Sequence, residues 1–254
     1  MCLITFAYKS HPKYSLVLVA NRDEFYTRPT RNAQYWIEEG YPDILAGKDL
    51  EASGTWMGIH KNRKWAALTN YRDLNQLKEN PPSRGDLALN FLKSDQSARQ
   101  YLKDIQKKSS LYNGFNLLLN DEEGIFHFSN QTNKIIEVTS GIHGLSNALL
   151  DTPWPKLELA KSGLNEFLKQ DRIDTNELFD ILKNETKAED DKLPKTGLSF
   201  DLEKAISSVF IKTDGYGTRC STLLLIHTDG TVEFIERRYN PTQREVLDEQ
   251  HFKF

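Results

Sequence analysis

Short apolar runs separated by polar turns dominate the first part of the chain. Residues 2–8 and 14–22 predict two strands joined by a turn, and residues 54–59 and 65–69 predict a second hairpin. Residues 16–20 are apolar at every position, so both faces of that strand should be covered. Hairpin-linked strands that are buried on two sides favour sheets stacked on each other, with helices outside.

Helical periodicity follows in the middle of the chain. Ser83–Asp86 resembles a capping box that leads into a helix, and residues 95–108 continue with apolar positions at helical spacing. Thr152 followed by Pro153 predicts the start of a third helix, with the proline in its first position. A cap-like aspartate predicts a fourth helix over about 174–185.

The remaining pattern completes an α+β chain. Further strands are predicted, in chain order, over residues 114–120, 124–129, 134–139, 205–212, 219–227 and 232–237. The charged residues 187–197 predict a mobile loop. Because the sequence contains no repeat, no low-complexity segment and no convincing linker, we interpret residues 1–254 as a single domain.

Composition excludes several classes of protein. A formal net charge of -3 gives no general electrostatic case for binding nucleic acid or an anionic membrane. The two cysteines argue against a disulfide framework. Cys2 and Cys220 could pair, but nothing requires it, and a reducing compartment is the simpler assumption. The chain start lacks a basic signal region, and no stretch approaches the ~18 apolar residues of a membrane span. We therefore expect a cytoplasmic protein.

Cys2 is the candidate residue with the most specific chemistry. The initiator methionine is usually removed before a residue as small as cysteine, which would leave Cys2 with a free α-amino group. The unperturbed pKa of that group, about 7.7–8.0, suits it to take the thiol proton near neutral pH. The alternative is that Cys2 is one more buried apolar residue, as most free cysteines are.

Charged residues follow directly on the second apolar strand, in the stretch Asn21–Glu24. The strand could simply run out to solvent, where charges need no explanation. Beside a nucleophile on a neighbouring strand, however, Arg22 would favour a thiolate, and a carboxylate, Asp23 or Glu24, would hold the α-amine in place. Buried charges are costly unless they are paired, so the pattern indicates a site if the stretch is buried.

Two asparagines and a late arginine are further candidates. Asn70 ends the strand predicted over 65–69, and Asn147 follows the segment Gly144–Ser146. A side-chain amide can donate to a developing oxyanion, although an asparagine after a strand more often forms a turn. Arg219 enters an apolar strand and needs a partner, for which an active-site carboxylate or thiolate would serve.

Other familiar kinds of site are not indicated. The histidines have no paired metal-ligand spacing, and Cys220 has no CxxC partner, so we predict no metal. The sequence contains neither a phosphate-loop fingerprint nor a GxSxG nucleophile motif. The tryptophans are interpreted as core residues.

An ordered set of short motifs resembles the NRDE family of transport and Golgi organisation 2-like proteins, over nearly the whole chain. The motifs that carry the resemblance are Met1–Ile4, Ala20–Glu24, Gly54–Gly58, Ala67–Arg72, Ser83–Gly85, Gly144–Asn147 and Thr152–Lys156. The family looks like a branch of the N-terminal-nucleophile hydrolases. That resemblance implies an α+β, four-layer αββα sandwich with two stacked, mainly antiparallel sheets.

The better-understood hydrolases of this class, the bile salt hydrolases and penicillin V acylases, imply roles for individual residues. Cys2 matches their nucleophile, Asn70 and Asn147 resemble their two oxyanion-site asparagines, and Arg219 is the counterpart of a late arginine. Those enzymes also carry an arginine and an aspartate on the second strand.

Here the sequence departs from that pattern. The acylases space the arginine and the aspartate by two residues, whereas Arg22 and Asp23 are adjacent. Adjacent strand residues point to opposite faces, so a bulge or a changed role is needed. Asp23 and Glu24 therefore compete for the contact with the α-amine.

The resemblance implies a cysteine amidohydrolase that acts on a non-peptide linear amide and requires no cofactor. The alternative is a binding and trafficking protein for haem, lipid or acyl-CoA that keeps the fold without the activity. Haem would then be a bound ligand, with His143 or Cys2 as weak candidates for an axial ligand. A structural or adaptor role, through the charged helices, is a third hypothesis.

Overall fold

The structure, a computed structural model, describes residues 2–170, 174–241 and 245–254. Contacts group the chain into two compact units, Met1–Thr27 with Ser140–Phe254 and Arg28–Thr139. Each unit contains one antiparallel sheet and α-helices. The predicted α+β class with two mainly antiparallel sheets is therefore confirmed, while the single-domain interpretation stays a prediction.

The strands and helices of the described residues alternate irregularly along the chain. In chain order they are β1 (Cys2–Tyr8), β2 (Tyr14–Phe25), β3 (Thr30–Trp36), β4 (Tyr41–Asp49), β5 (Met57–His60), β6 (Trp65–Asn70), α1 (Gly85–Lys93), α2 (Ala98–Lys108), β7 (Phe115–Asp121), β8 (Gly124–Ser129), β9 (Lys134–Glu137), β10 (Gly141–Leu145), α3 (Pro155–Phe167), α4 (Thr175–Leu182), α5 (Phe200–Ala205), β11 (Tyr216–His227), β12 (Val232–Tyr239) and β13 (Val246–Lys253).

Sheet I belongs to the first unit. In the described part of that unit it has the strand order β10-β1-β2-β11-β12-β13, and every neighbouring pair is antiparallel. Alternate residues of its strands pack against α3 and α4 in one apolar cluster that includes Leu3, Val17, Val19, Leu223, Leu157, Leu164 and Phe179. We call this side the helix face. The opposite side, which carries Cys2, is the cysteine face.

A glycine lets α3 lie close to sheet I. A Cβ atom on Gly144 of β10 would be 2.6 Å from Cδ1 of Leu157, a clash that only glycine avoids. The prediction that this helix starts with Thr152 as its cap and Pro153 in its first position is wrong. The helix begins at Pro155 after Trp154, and Pro155 takes the first helical position.

Sheet II belongs to the second unit and has the order β3-β4-β5-β6-β7-β8-β9 in the residues described. Helices α1 and α2 pack on it in a cluster that includes Trp36, Leu68, Phe91, Leu102, Phe115 and Phe128. The capping box predicted at Ser83–Asp86 is not formed, because α1 begins at Gly85 after Arg84 without a side-chain cap. A Cβ on Gly54 would lie 2.6 Å from the carbonyl carbon of Gly85, so close backbone contact governs this helix start.

Most of the predicted strands form, but four strands were missed and one prediction was wrong. The missed strands are β3, β4, β10 and β13. Strands β3, β10 and β13 are edge strands, and all three are polar, glycine-containing or largely exposed, so they lack a strong apolar signal. The strand predicted over 205–212 is wrong. Helix α5 ends at Ala205, and the following segment forms only an isolated bridge, between Lys212 and Gly217, while other backbone groups bind the side chains of Asn21 and Thr218. The mobility predicted for 187–197, which contains the 3-10 turn Asp190–Lys192, stays a prediction.

Candidate active site

The strand register of sheet I aligns three candidate side chains. Cys2 is paired with Arg22 across β1 and β2, and Arg22 is paired with Cys220 across β2 and β11. Directly paired residues of neighbouring strands share a face, so these three form one row on the cysteine face. Cys2 is half-buried, and Arg22 is only 5% exposed. A buried guanidinium therefore lies between the two cysteines.

This row also separates the two thiols. Neighbouring strands lie about 4.7–4.9 Å apart, so Cys2 and Cys220, on either side of β2, are about 9–10 Å apart in the row. A disulfide needs Cα atoms within about 7 Å. Both cysteines are free, and the pairing that the sequence left open does not occur.

Neither thiol is an activated thiolate in the chain that begins with Met1. Burial raises the pKa of the Cys2 thiol above its ordinary value, and the nearby charge of Arg22 opposes this without reversing it. Burial, followed by the charge of Glu236, raises the pKa of Cys220 well above the ordinary value. Ionisation of Cys2 near neutral pH therefore requires a base, which a free α-amino group on Cys2 itself would supply.

Asp23 faces away from this row. It is paired with Thr218 on β11, whereas its neighbour Arg22 is paired with Cys220, so Arg219 is an extra residue in a β-bulge. The sequence required a bulge or a changed role because Arg22 and Asp23 are adjacent. The bulge lies in the partner strand, and Arg22 and Asp23 remain on opposite faces.

The carboxylate of Asp23 is held on the helix face. Its Oδ1 accepts a hydrogen bond of 2.7 Å from Oγ1 of Thr218, and the residue is only 1% exposed. Burial raises the pKa of Asp23 above its ordinary value, while the charge of Lys156 on α3 and the Thr218 bond lower it. A buried cation thus acts on the carboxylate from the helix side.

Asn21, the first residue of the charged stretch, binds three partners on the helix face. Its Nδ2 donates to the carbonyl oxygens of Leu182 and Val209, both at 2.9 Å. Its Oδ1 accepts a bond of 2.5 Å from Oγ of Ser221. Asn21 therefore connects β2 to the end of α4 and to the segment after α5, which is a structural role.

Asn147 lies close to the start of β1. Leu145 of β10 is paired with Ile4, so the two residues after Leu145 continue toward Cys2. Oγ of Ser146 donates to the carbonyl oxygen of Cys2 and to Oδ1 of Asn147, both at 3.4 Å. Asn147 is fully buried and lies two residues beyond the end of β10, in the segment that Ser146 binds to the Cys2 carbonyl.

Arg219 and Glu24 bind backbone atoms at the same end of sheet I. Nη1 of Arg219 donates to the carbonyl oxygen of Phe25 at 2.8 Å. Burial and then the charge of Arg22 lower the pKa of the Arg219 guanidinium. Oε1 of Glu24 accepts a bond of 2.9 Å from the backbone N–H of Phe25. Which of Asp23 and Glu24 contacts the α-amine stays a prediction.

Asn70 belongs to the other compact unit. It is the last residue of β6 and is paired with Phe115 of β7. Its assignment as a second oxyanion donor therefore stays a prediction.

Haem as a bound ligand stays a prediction, and the structure gives the surroundings of its candidate ligand. In the described residues, no group of three or more His, Cys, Asp and Glu side chains could hold a metal ion. His143, the histidine considered for haem, has its Nδ1 2.7 Å from Oδ2 of Asp151, and its ring packs on Phe6. Over residues 2–170, 174–241 and 245–254, no helix is both long and apolar enough to cross a membrane.

Lys156 and Thr218 were not among the residues predicted from the sequence. Lys156 is spaced four residues from Ala160 and eight from Leu164, both buried in the core of the first unit. A lysine within the apolar stripe of a helix is the signal that could have identified it. Thr218 offered no such signal, because its partner depends on the bulge.

These features define an α+β protein in which one end of sheet I carries a cysteine near the chain start, a buried arginine and a buried asparagine. Residues 1–241 match the model of the family described as Transport and Golgi organisation 2, and the chain belongs to that family. The resemblance inferred from the motifs is thereby confirmed.

Individual relatives agree with this assignment. The chain is 36% identical to the mouse Transport and Golgi organization 2 homolog, covering 93% of this chain and 92% of the mouse protein. It is 37% identical to the human homolog over the same shares. A solved structure of the Caenorhabditis elegans ortholog of N-acylethanolamine-hydrolyzing acid amidase aligns with a TM-score of 0.44 and 11% identity, covering 88% of this chain and 92% of that chain. At that similarity, the alignment carries no argument about the site.

Proposed function

We propose that this protein is a cysteine N-terminal-nucleophile amidohydrolase that cleaves a non-peptide linear amide after removal of Met1. The observation that supports it most is the β1–β2 register, which pairs Cys2 with the buried Arg22. The adjoining Ser146–Asn147 segment, bonded to the Cys2 carbonyl, adds an amide donor on the other side.

The reaction follows from groups on this chain. The α-amine of Cys2 takes the thiol proton, and the sulfur attacks the carbonyl carbon of the amide, moving the C=O electron pair onto oxygen. Asn147 donates to this oxyanion. The C–N bond then breaks as the α-ammonium gives its proton to the leaving nitrogen.

The second half of the reaction restores the cysteine. The α-amine takes a proton from water, and the resulting hydroxide attacks the thioester carbon. The C–S bond breaks, a carboxylic acid leaves, and the thiolate regains its proton from the α-ammonium. The positive charge of Arg22 favours the thiolate in both halves, since an adjacent cation stabilises the charged form.

One observation favours a second candidate function. Burial raises the pKa of the Cys2 thiol in the chain that retains Met1, and a protonated thiol is a poor nucleophile. If Met1 stays in place, a binding and trafficking protein for haem, lipid or acyl-CoA becomes the better proposal.

Intact mass and selective labelling test the hydrolase. We expect the purified protein to lack Met1, and we expect an electrophilic acyl probe to label Cys2 well before the buried Cys220. Cys2→Ala should abolish turnover of a fatty-acid p-nitroanilide, while Cys220→Ala should retain it. Full retention of Met1, or equal labelling of both thiols, would contradict the proposal.

A further inference from the structure

Two buried charges of opposite sign lie on the helix face behind Cys2. Lys156, the second residue of α3, is 3% exposed, and Asp23 near the end of β2 is 1% exposed. Burying either charge alone would cost several kcal/mol, so such groups are retained only as partners or where they serve a function. Asp23 has a predicted task, the contact with the α-ammonium group of Cys2, whereas Lys156 has none.

The fold fixes where the ammonium group of Lys156 can reach. Lys156 lies one turn before Ala160 on the stripe of α3 that packs against sheet I. Its Nζ donates to the carbonyl oxygen of Ile206 at 3.4 Å. Asp23 belongs to the same side of the sheet, because its strand partner Thr218 donates to it there.

Residues 206–211 tie these side chains together. The carbonyl of Ile206 accepts from Lys156, and the carbonyl of Val209 accepts from Asn21. The backbone N–H of Ile211 donates to Oγ1 of Thr218 at 2.9 Å, which leaves the hydroxyl hydrogen for the carboxylate of Asp23. Residues 206–211 therefore bind both Thr218, which donates a hydrogen bond to the Asp23 carboxylate, and Lys156, the buried cation that acts on this carboxylate.

We propose that Lys156 is a positioning residue that keeps the Asp23 carboxylate ionised and fixed as the counter-ion of the Cys2 α-ammonium. This role rests on the proposed amidohydrolase function, since it matters only if Cys2 is the N-terminal residue. Lys156 itself touches no reacting atom.

The charges around Asp23 support this role. Burial acts first and raises the pKa of Asp23, and the charge of Glu24 adds to this effect. Among the opposing influences the charge of Lys156 is the largest, ahead of the charge of the N-terminal amine and of the Thr218 bond. Without the ammonium group, the same burial would favour the protonated carboxylic acid. A neutral Asp23 could not balance an α-ammonium.

A second buried lysine shows what a purely structural ammonium group looks like. Nζ of Lys64 donates to the carbonyl oxygens of Ser94 and Gln96 at 2.6 and 2.9 Å, and it lies 4.0 Å from the ring centroid of Phe91. Those carbonyls, at the C-cap Ser94 and two residues beyond it, do not titrate. Lys156 differs because the carboxylate on which its charge acts is buried, whereas Asp121 and Asp95, whose charges act on Lys64, are not.

Carbon-13 NMR of protein labelled at aspartate Cγ tests the proposal without requiring any substrate. The Asp23 resonance, assigned by its loss in Asp23→Asn, should show an ionised carboxylate at pH 7 in the wild type. In Lys156→Met its titration midpoint should rise by at least one pH unit, a tenfold change in proton affinity, and Lys156→Arg should restore most of the difference. Lys161→Met is the matched control, since Lys161 is on the same helix but pairs with Asp151, and it should leave Asp23 unchanged.

The outcomes separate this inference from the proposed activity. An unchanged midpoint in Lys156→Met, or a wild-type Asp23 that is still protonated at pH 7, would overturn it; the second result needs no variant to fold. If the wild type is active, the apparent pKa on the acid side of the kcat/KM pH profile should rise in Lys156→Met by the same amount as the titration midpoint of Asp23. An apparent pKa that does not change would refute the positioning role alone. A shifted midpoint in a protein that cleaves no amide would support the charge pairing and refute the hydrolase.

Discussion

The residues of the stretch Asn21–Glu24 have different surroundings on the two faces of sheet I. On the helix face, Asn21 and Asp23 are bonded to neighbouring segments by short hydrogen bonds and lie beside a buried lysine. On the cysteine face, Arg22 lies between two free thiols whose pKa values are raised by burial. Because successive residues of β2 point to opposite faces, the groups that bind neighbouring segments are separated from the groups available for chemistry.

The largest expected effect concerns the amide beside Cys2. Asn147→Ala should lower kcat and kcat/KM together by about 10²–10³, or about 2.7–4 kcal/mol, with KM little changed, because the donor is needed only once charge develops on oxygen. Steady-state hydrolysis of a chromogenic linear amide measures this. Ser146→Ala, which removes two long bonds of 3.4 Å, to the Cys2 carbonyl and to Oδ1 of Asn147, but leaves the Asn147 amide in place, is the control and should stay close to wild type. Unchanged turnover in Asn147→Ala would remove it from the oxyanion site.

The helix face should respond in stability. Asn21→Leu leaves two carbonyls and a hydroxyl without the amide, so we expect the free energy of unfolding to fall by about 2–4 kcal/mol in urea titrations. Asn120→Leu, which loses only one exposed bond of 3.3 Å, should change it by no more than about 0.5 kcal/mol. The NMR titration of Asp23 should keep its midpoint in Asn21→Leu. A shift as large as that of Lys156→Met would mean that any damage to this face alters Asp23.

The smallest effect concerns the thiol itself. Arg22 lowers the pKa of Cys2, so Arg22→Gln should raise that pKa and slow iodoacetamide labelling of Cys2 at pH 7 by up to about tenfold, the change expected for one pKa unit. The difference should shrink as the pH rises through the pKa of the variant, where the thiolate forms in both proteins. Arg237→Gln is the control, because Arg237 is on the other face of sheet I and pairs with Glu249. Equal slowing in both variants would show that the effect does not depend on the cysteine face.

Strands with a strong apolar signal were predictable, and those without one were not. Strand β1 has the predicted bounds and β2 extends three residues beyond them, because their buried apolar residues require a strand covered on both faces. Strand β13 alternates exposed and half-buried residues at the edge of sheet I, so its pattern resembles a surface loop. Residues 206–211 are apolar enough to be taken for a strand, yet their backbone groups bind the side chains of Asn21, Thr218 and Lys156.

The sequence by itself determined the family, the α+β class, and the candidate residues at the chain start and in the stretch after β2. The adjacency of Arg22 and Asp23 required either a bulge or a changed role, and the sequence left that choice open. Only the tertiary structure decided that the bulge lies at Arg219, that Thr218 binds Asp23, and that Lys156 acts on the same carboxylate. The physical reason is separation along the chain: Asp23 and Thr218 are 195 residues apart, and only the pairing of β2 with β11 and the packing of α3 bring these partners together.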